Sequence, residues 1–184
     1  MNTKTKATIE DLYKVDDKAE LVDGEIILMP PTGESPNRAG TSILYALLEY
    51  ERRTKLGRAF SDGVGFIMDP EHRKVFSPDV AFFTTAAPKS VNMKFVEGAP
   101  IFAVEIRSEN DYGSPAERKM AAKRADYFAA GTEVVWDVDL QSDEVIRSYR
   151  VDNPDTPIVF RRGDLADAEP ALPGWQMSID ELFK

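Results

Sequence analysis

Residues Ile101–Ser108 (IFAVEIRS) decide how the rest of this chain is read. Six of the eight residues are apolar or small and none is a turn former. A run that short and continuous predicts a strand at the centre of a sheet covered on both faces. Glu105 lies near its end, and an unpaired carboxylate there would be expensive to ionise, so the pattern demands a partner for its charge. Upstream, Pro78-Asp79 opens a second apolar run (VAFF) and puts a carboxylate at the mouth of a second strand. Downstream, Ser114-Pro-Ala-Glu117 predicts an N-cap with proline at the first helical position, and Gly131 a left-handed stop after about Ala130. In that helix Ala116, Met120, Lys123, Tyr127 and Ala130 share one face, so Lys123 falls in the middle of an inward stripe.

The remaining elements follow from capping and periodicity. Thr8-Ile-Glu-Asp11 caps a short helix to about Val15, and Glu20–Pro30 predicts a hairpin turning at Asp23-Gly24. Ser35-Pro36 opens a long helix to about Leu56, with Ile43, Leu44, Leu47 and Leu48 buried and Gly57 as its stop. Arg58–Met68 is expected as one strand, and Asp69–His72 as a turn with His72 exposed. Asp79–Thr85 and Ile101–Ser108 follow as strands. Glu133–Asp139 then pairs with Glu144–Val151 as a hairpin, Ile158–Arg162 adds a short strand, and Ser178–Glu181 caps a last helical turn. The expected fold class is α/β (α+β), a mixed sheet flanked by helices in a single domain spanning 1–184.

Composition narrows the chemistry. With no cysteine and one histidine, thiolate sites and a Ser-His-Asp triad have no material to work with. The 23 basic and 32 acidic residues give a net charge of −9, which argues against general adhesion to nucleic acid or anionic membranes but leaves room for a local basic patch. Arg52, Arg53, Lys55 and Arg58 cluster at the end of the long helix, where its dipole favours cations anyway. Arg118, Lys119 and Arg124 ride the helix of Lys123. No apolar run approaches membrane-spanning length, so a soluble, cytoplasmic protein is expected.

Taken together these motifs carry a resemblance. Pro78-Asp79, with Glu105-Ile-Arg107 following 26 residues after the aspartate, is similar to the PD-(D/E)XK nuclease signature with arginine in the lysine slot. Glu20–Ile26 (ELVDGEI), Pro78–Phe83 (PDVAFF), Glu105–Ser108 (EIRS), Lys123, Tyr127, Gly131, Glu133–Asp139 and Leu172–Trp175 (LPGW) resemble, in that order, the motifs of the Uma-type putative restriction endonuclease family. The resemblance implies a restriction-endonuclease-like fold and a magnesium-dependent endonuclease, manganese substituting, acting on nucleic acid and most plausibly on DNA. Asp79 and Glu105 would hold the metal, with the Ile106 carbonyl completing the protein's share. The lysine role moves to Lys123, whose pKa is expected to fall on desolvation, which suits it to the water. Arg107 would clamp the phosphate as a fixed fork. Glu20, at the start of the hairpin motif, is a further candidate acid, and Asn37 stands where the family often carries histidine. Many such folds form homodimers whose two sites face a duplex, although no stretch here specifies an interface.

Each candidate also has an ordinary structural reading. Asp79 can simply open a strand, Glu105 can be a core carboxylate paired with Arg107 or Lys123, and Lys123 can snorkel to water. Tyr127 and Met120 suit a core, and Asp137 and Asp139 suit a strand ending at the surface. The alternative function is accordingly a nuclease-fold binding or assembly module that does not cleave.

Overall fold

The computed structural model describes residues 6–68, 73–84 and 92–184. In chain order the elements are α1 (Ile9–Leu12), β1 (Ala19–Val22), β2 (Glu25–Leu28), α2 (Glu34–Thr54), β3 (Arg58–Ser61), β4 (Phe66–Ile67), β5 (Arg73–Phe76), β6 (Val80–Phe83) and β7 (Val96–Glu97). They continue with β8 (Phe102–Ile106), α3 (Ser114–Ala130), β9 (Val134–Val138), β10 (Ile146–Arg150), β11 (Asn153–Phe160), β12 (Leu165–Asp167) and β13 (Gln176–Ser178), and close with a 3₁₀ helix, Ile179–Phe183. The main sheet has six strands in the order β11-β10-β9-β8-β6-β3. Its β8–β9 pair is parallel and the rest are antiparallel. A second sheet runs β2-β1-β5-β4-β7, and β12 and β13 form a small ribbon.

The IFAVEIRS stretch holds the predicted place, with β8 flanked by β6 and β9 and covered on both faces. Phe102, Val104 and Ile106 join Val134, Trp136 and Val138 of β9 against Ala39, Ile43, Leu47 and Tyr50 of α2. Ala103 points the other way, into a cluster with Val135, Phe76 and Tyr127 of α3. Side chains alternate along a strand, so Glu105 shares the face of Ala103 and not that of the α2 core. The Phe102 and Trp136 rings meet edge to face at 5.1 Å, and Trp175 packs on Trp136 at 5.4 Å, which anchors the C-terminal LPGW segment in the main core.

Local signals account for most ends. Thr8 and Asp11 exchange the two hydrogen bonds of a capping box. Asp23 (φ 52°) and Gly24 (φ 79°) make the left-handed pair that a two-residue hairpin needs. Gly131 (φ 107°) stops α3 as expected.

Other expectations shift. Gly33, not Ser35, is the N-cap of α2, and the helix ends at a left-handed Lys55 before Gly57 is reached. Gly113, not Ser114, precedes α3. Arg58–Met68 is two strands in different sheets, because the chain turns at Gly63 (φ 89°) and β4 pairs with β5. β5, β7, β12 and β13 were not expected, and β11 begins at Asn153, ahead of Ile158. The turn expected over Asp69–His72, with His72 exposed, lies outside the described residues. No described helix is long and apolar enough to cross a membrane.

Candidate active site

Asp79 stands just before β6, and its N–H donates to the Val104 carbonyl at 3.0 Å, which fixes it beside the end of β8. Its Oδ2 accepts from the Ile106 N–H at 2.7 Å and its Oδ1 from Lys18 Nζ at 3.2 Å. Glu105, on β8, accepts from Lys123 Nζ at 2.7 Å and from the Tyr127 hydroxyl at 2.6 Å. Both carboxylates, Lys123 and Tyr127 line one open cleft of about 1700 Å³. The stripe of α3 therefore does what its spacing predicted: Ala116, Met120, Lys123 and Tyr127 face this cleft, and of these only Tyr127 is fully buried.

The second sheet closes the site from the other side. Glu20, buried on β1, accepts from the Ser77 N–H at 3.0 Å, pairs with Lys123 at 3.0 Å, and takes a further bond from Arg73 of β5. Arg73 also reaches Asp126 of α3 at 3.2 Å. The hairpin acid of the ELVDGEI motif is thus brought to the site, and Lys123 is held between Glu20 and Glu105. Lys18 and Arg73 also belong to the cluster. Neither carries a local sequence signal, because each reaches it only through the pairing of β1 with β2 and β5.

The electrostatics follow from crowding. Burial, with Asp79 and Glu20 close by, outweighs Lys123 and pushes the Glu105 carboxyl up from the ordinary 4.5 to about 7. Burial opposes the charge on Lys123, but Glu105 and Glu20 overcome it and raise its pKa. This corrects the expectation that desolvation would lower it: Lys123 is a firm cation and not a base. Burial and the neighbouring Glu105 raise the Tyr127 hydroxyl, which stays protonated as a donor. Burial also works against the charge on Glu20, yet Lys123, Arg73 and the Ser77 N–H hold its pKa below the ordinary value.

Arg107 requires the second correction. It lines the same cleft, but all five of its N–H donors are taken. Nε and Nη2 grip the two oxygens of Asp137 at 2.8 and 2.7 Å, Nη2 also reaches Glu117 Oε2 at 3.0 Å, and Nη1 bonds the Asp111 carbonyl at 3.3 Å and the second Glu117 oxygen. A free phosphate fork has no spare donor here. Arg107 instead ties β8 to β9 and to the first turn of α3. Asp137 and Asp139 are correspondingly buried and not at a strand surface, with Asp139 accepting from the Tyr112 hydroxyl at 2.9 Å. Asn37 lines a small cavity with Asp62, Asp79 and Ile106. Of the two basic patches expected from the sequence, Lys119 and Arg124 of α3 border the main cleft, whereas the cluster at the end of α2 does not.

Comparison with known proteins identifies the fold and the family. The crystal structure of "a putative nuclease belonging to DUF820" from Anabaena variabilis ATCC 29413 superposes with a TM-score of 0.74 over 96% of this chain and 97% of that chain. At 19% identity the likeness is one of fold. No curated protein matches the sequence. A family model described as "Uma2: Putative restriction endonuclease" matches residues 7–180. With nearly its whole length matched, this chain belongs to the Uma2 family of putative restriction endonucleases.

Proposed function

We propose that this chain is a magnesium-dependent endonuclease that hydrolyses DNA phosphodiester bonds, with manganese able to substitute, at a centre built on Asp79, Glu105 and Lys123. The observation that carries the reading is the convergence of two strand-end carboxylates with a half-buried lysine in an open cleft. The family match supports nuclease chemistry on this chain; metal and substrate are inferred from the site. Among the described residues no three metal-ligating side chains converge as a ready cage. The donor set of two carboxylates, backbone and substrate oxygens nevertheless suits magnesium, which takes few protein ligands and keeps its waters.

A divalent ion bound there would neutralise phosphate charge and make a water nucleophilic. The chain's own residues supply the geometry. Ile106 N–H orients Asp79 from one side. Tyr127 and Lys123 orient Glu105 and lower the cost of its charge. Lys123, fixed as a cation, stabilises the negative charge that develops on the phosphate. Arg107 serves by holding α3, and hence Lys123, in register with β8.

The second reading, a module that binds without cutting, draws on one feature: all four oxygens of Asp79 and Glu105 already accept from protein donors, as in a purely structural ion network. Single-turnover incubation of labelled DNA and RNA oligonucleotides with magnesium or manganese separates the two. Metal-dependent cutting of DNA supports the endonuclease. No cleavage of any substrate, together with no metal binding at submillimolar concentration, supports the module.

A further inference from the structure

Lys18 bridges two carboxylates with unequal grips. Its Nζ lies 2.5 Å from Asp62 Oδ1 and 3.2 Å from Asp79 Oδ1. The side chain is 17% exposed and lines the active-site cleft. Asp79 has its other oxygen committed to the Ile106 N–H at 2.7 Å, so Oδ1 is the oxygen that faces a ligand. The ammonium on that oxygen therefore stands where a cation would bind, and it is held there by the weaker of its two contacts.

Resting on the metal reading above, we propose that Lys18 is a resident counter-cation that sets the site's metal affinity. On metal entry it yields Asp79 Oδ1 and stays anchored on Asp62. The two distances fix the direction of this exchange, because the long contact is lost and the short one is kept. They also assign Asp62 a role: it is the parking site that keeps Lys18 from closing fully on Asp79. Lys18 then remains at the cleft edge with its charge turned toward an anionic substrate. Removing Lys18 deletes a positive charge adjacent to the incoming dication, and at the dielectric of a cleft this amounts to roughly a tenfold or greater gain in affinity. Removing the Asp62 charge leaves Lys18 with Asp79 as its one salt-bridge partner, with Glu105 acting from farther off, and has the opposite effect.

The test is manganese binding to the intact protein, measured by calorimetry for wild type, Lys18→Met, Asp62→Asn and Asp79→Asn. The expected order is a Kd about tenfold lower for Lys18→Met, severalfold higher for Asp62→Asn, and binding abolished in Asp79→Asn. Asp79→Asn abolishing binding while the other two variants stay within twofold of wild type overturns the role of Lys18 and leaves the metal reading intact. Wild type binding no manganese, or Asp79→Asn binding as wild type does, overturns the metal reading and the exchange with it. Circular dichroism of each variant shows whether a lost signal reflects unfolding, and charge-reversing Lys18→Glu supplies a second variant, with tighter binding again expected.

Discussion

Replacing Arg107 by lysine separates a structural clamp from a phosphate fork. The guanidinium is 3% exposed and Asp137, its main partner, 4%. The two bonds to Asp137 run from adjacent nitrogens to both carboxylate oxygens at 2.8 and 2.7 Å. A lysine carries its three N–H groups on one atom and cannot span that carboxylate and Glu117 together. Charge-assisted bonds are each worth about 1.5–3 kcal/mol, and Arg107→Lys loses at least one of the Asp137 pair outright. The Glu117 contacts count for less, because that carboxylate is 53% exposed and screened by water. The sum is a destabilisation of about 3 kcal/mol, with Asp137 left partly unpaired in the interior. Urea unfolding followed by circular dichroism, with the slope unchanged, measures it. If Arg107→Lys unfolds within about 0.5 kcal/mol of wild type and loses only DNA affinity, Arg107 is a phosphate ligand and the clamp is refuted.

Three further outcomes follow from the same geometry. Lys123→Met should slow single-turnover cleavage on the order of 10²–10⁴-fold, and unchanged cleavage would remove Lys123 from the chemistry. Glu105 has a folded pKa of about 7, above its ordinary 4.5, so its contribution to apo stability is fully present below about 4.5 and is lost as pH rises through about 7. Metal binding, which needs the ionised form, should weaken about tenfold per pH unit below 7, and Glu105→Gln should flatten both profiles. Tyr127→Phe removes a donor from the Glu105 carboxylate at 2.6 Å. It should move the acid limb of the cleavage profile upward by about one pH unit, and an unmoved limb would show that this bond does not tune Glu105.

What the sequence disclosed of this site depended on how local each signal was. Glu105 and Asp79 stood out because a carboxylate at the end of an apolar strand needs an explanation, and Lys123 because helical spacing put it on a stripe. Tyr127 was assigned to the core, which is correct for its ring and incomplete for its hydroxyl. The partners of Arg107 were illegible, since Asp137 meets it only through the parallel β8–β9 register and Glu117 only once α3 is laid across the sheet. The alternation of Asp137 and Asp139 was visible, but alternation does not say whether the polar face meets water or a buried guanidinium. Lys18 and Arg73 lie on or beside short strands of the second sheet, where Asp23-Gly24 announces the pairing of β1 with β2 but no local pattern announces that of β1 with β5. The break between β3 and β4 was marked by Asp62-Gly63, a turn signal outweighed by the apolar residues around it. β11 carries Pro154 and Pro157, which disfavour a strand except at a sheet edge, and that is where β11 lies.

The central claim is that Asp79 and Glu105 form a metal-dependent cutting centre. The most direct test is single-turnover cleavage of a labelled DNA duplex by wild type and Glu105→Gln, with magnesium present and after chelation. Glu105→Gln keeps the size of the side chain and an acceptor for Tyr127, while it removes the charge and turns the atom facing Lys123 from an acceptor into a donor. The account predicts cutting by wild type that stops on chelation and a loss of at least 10²-fold in Glu105→Gln with its fold intact. Cutting that survives chelation, or that proceeds equally in folded Glu105→Gln, would contradict it.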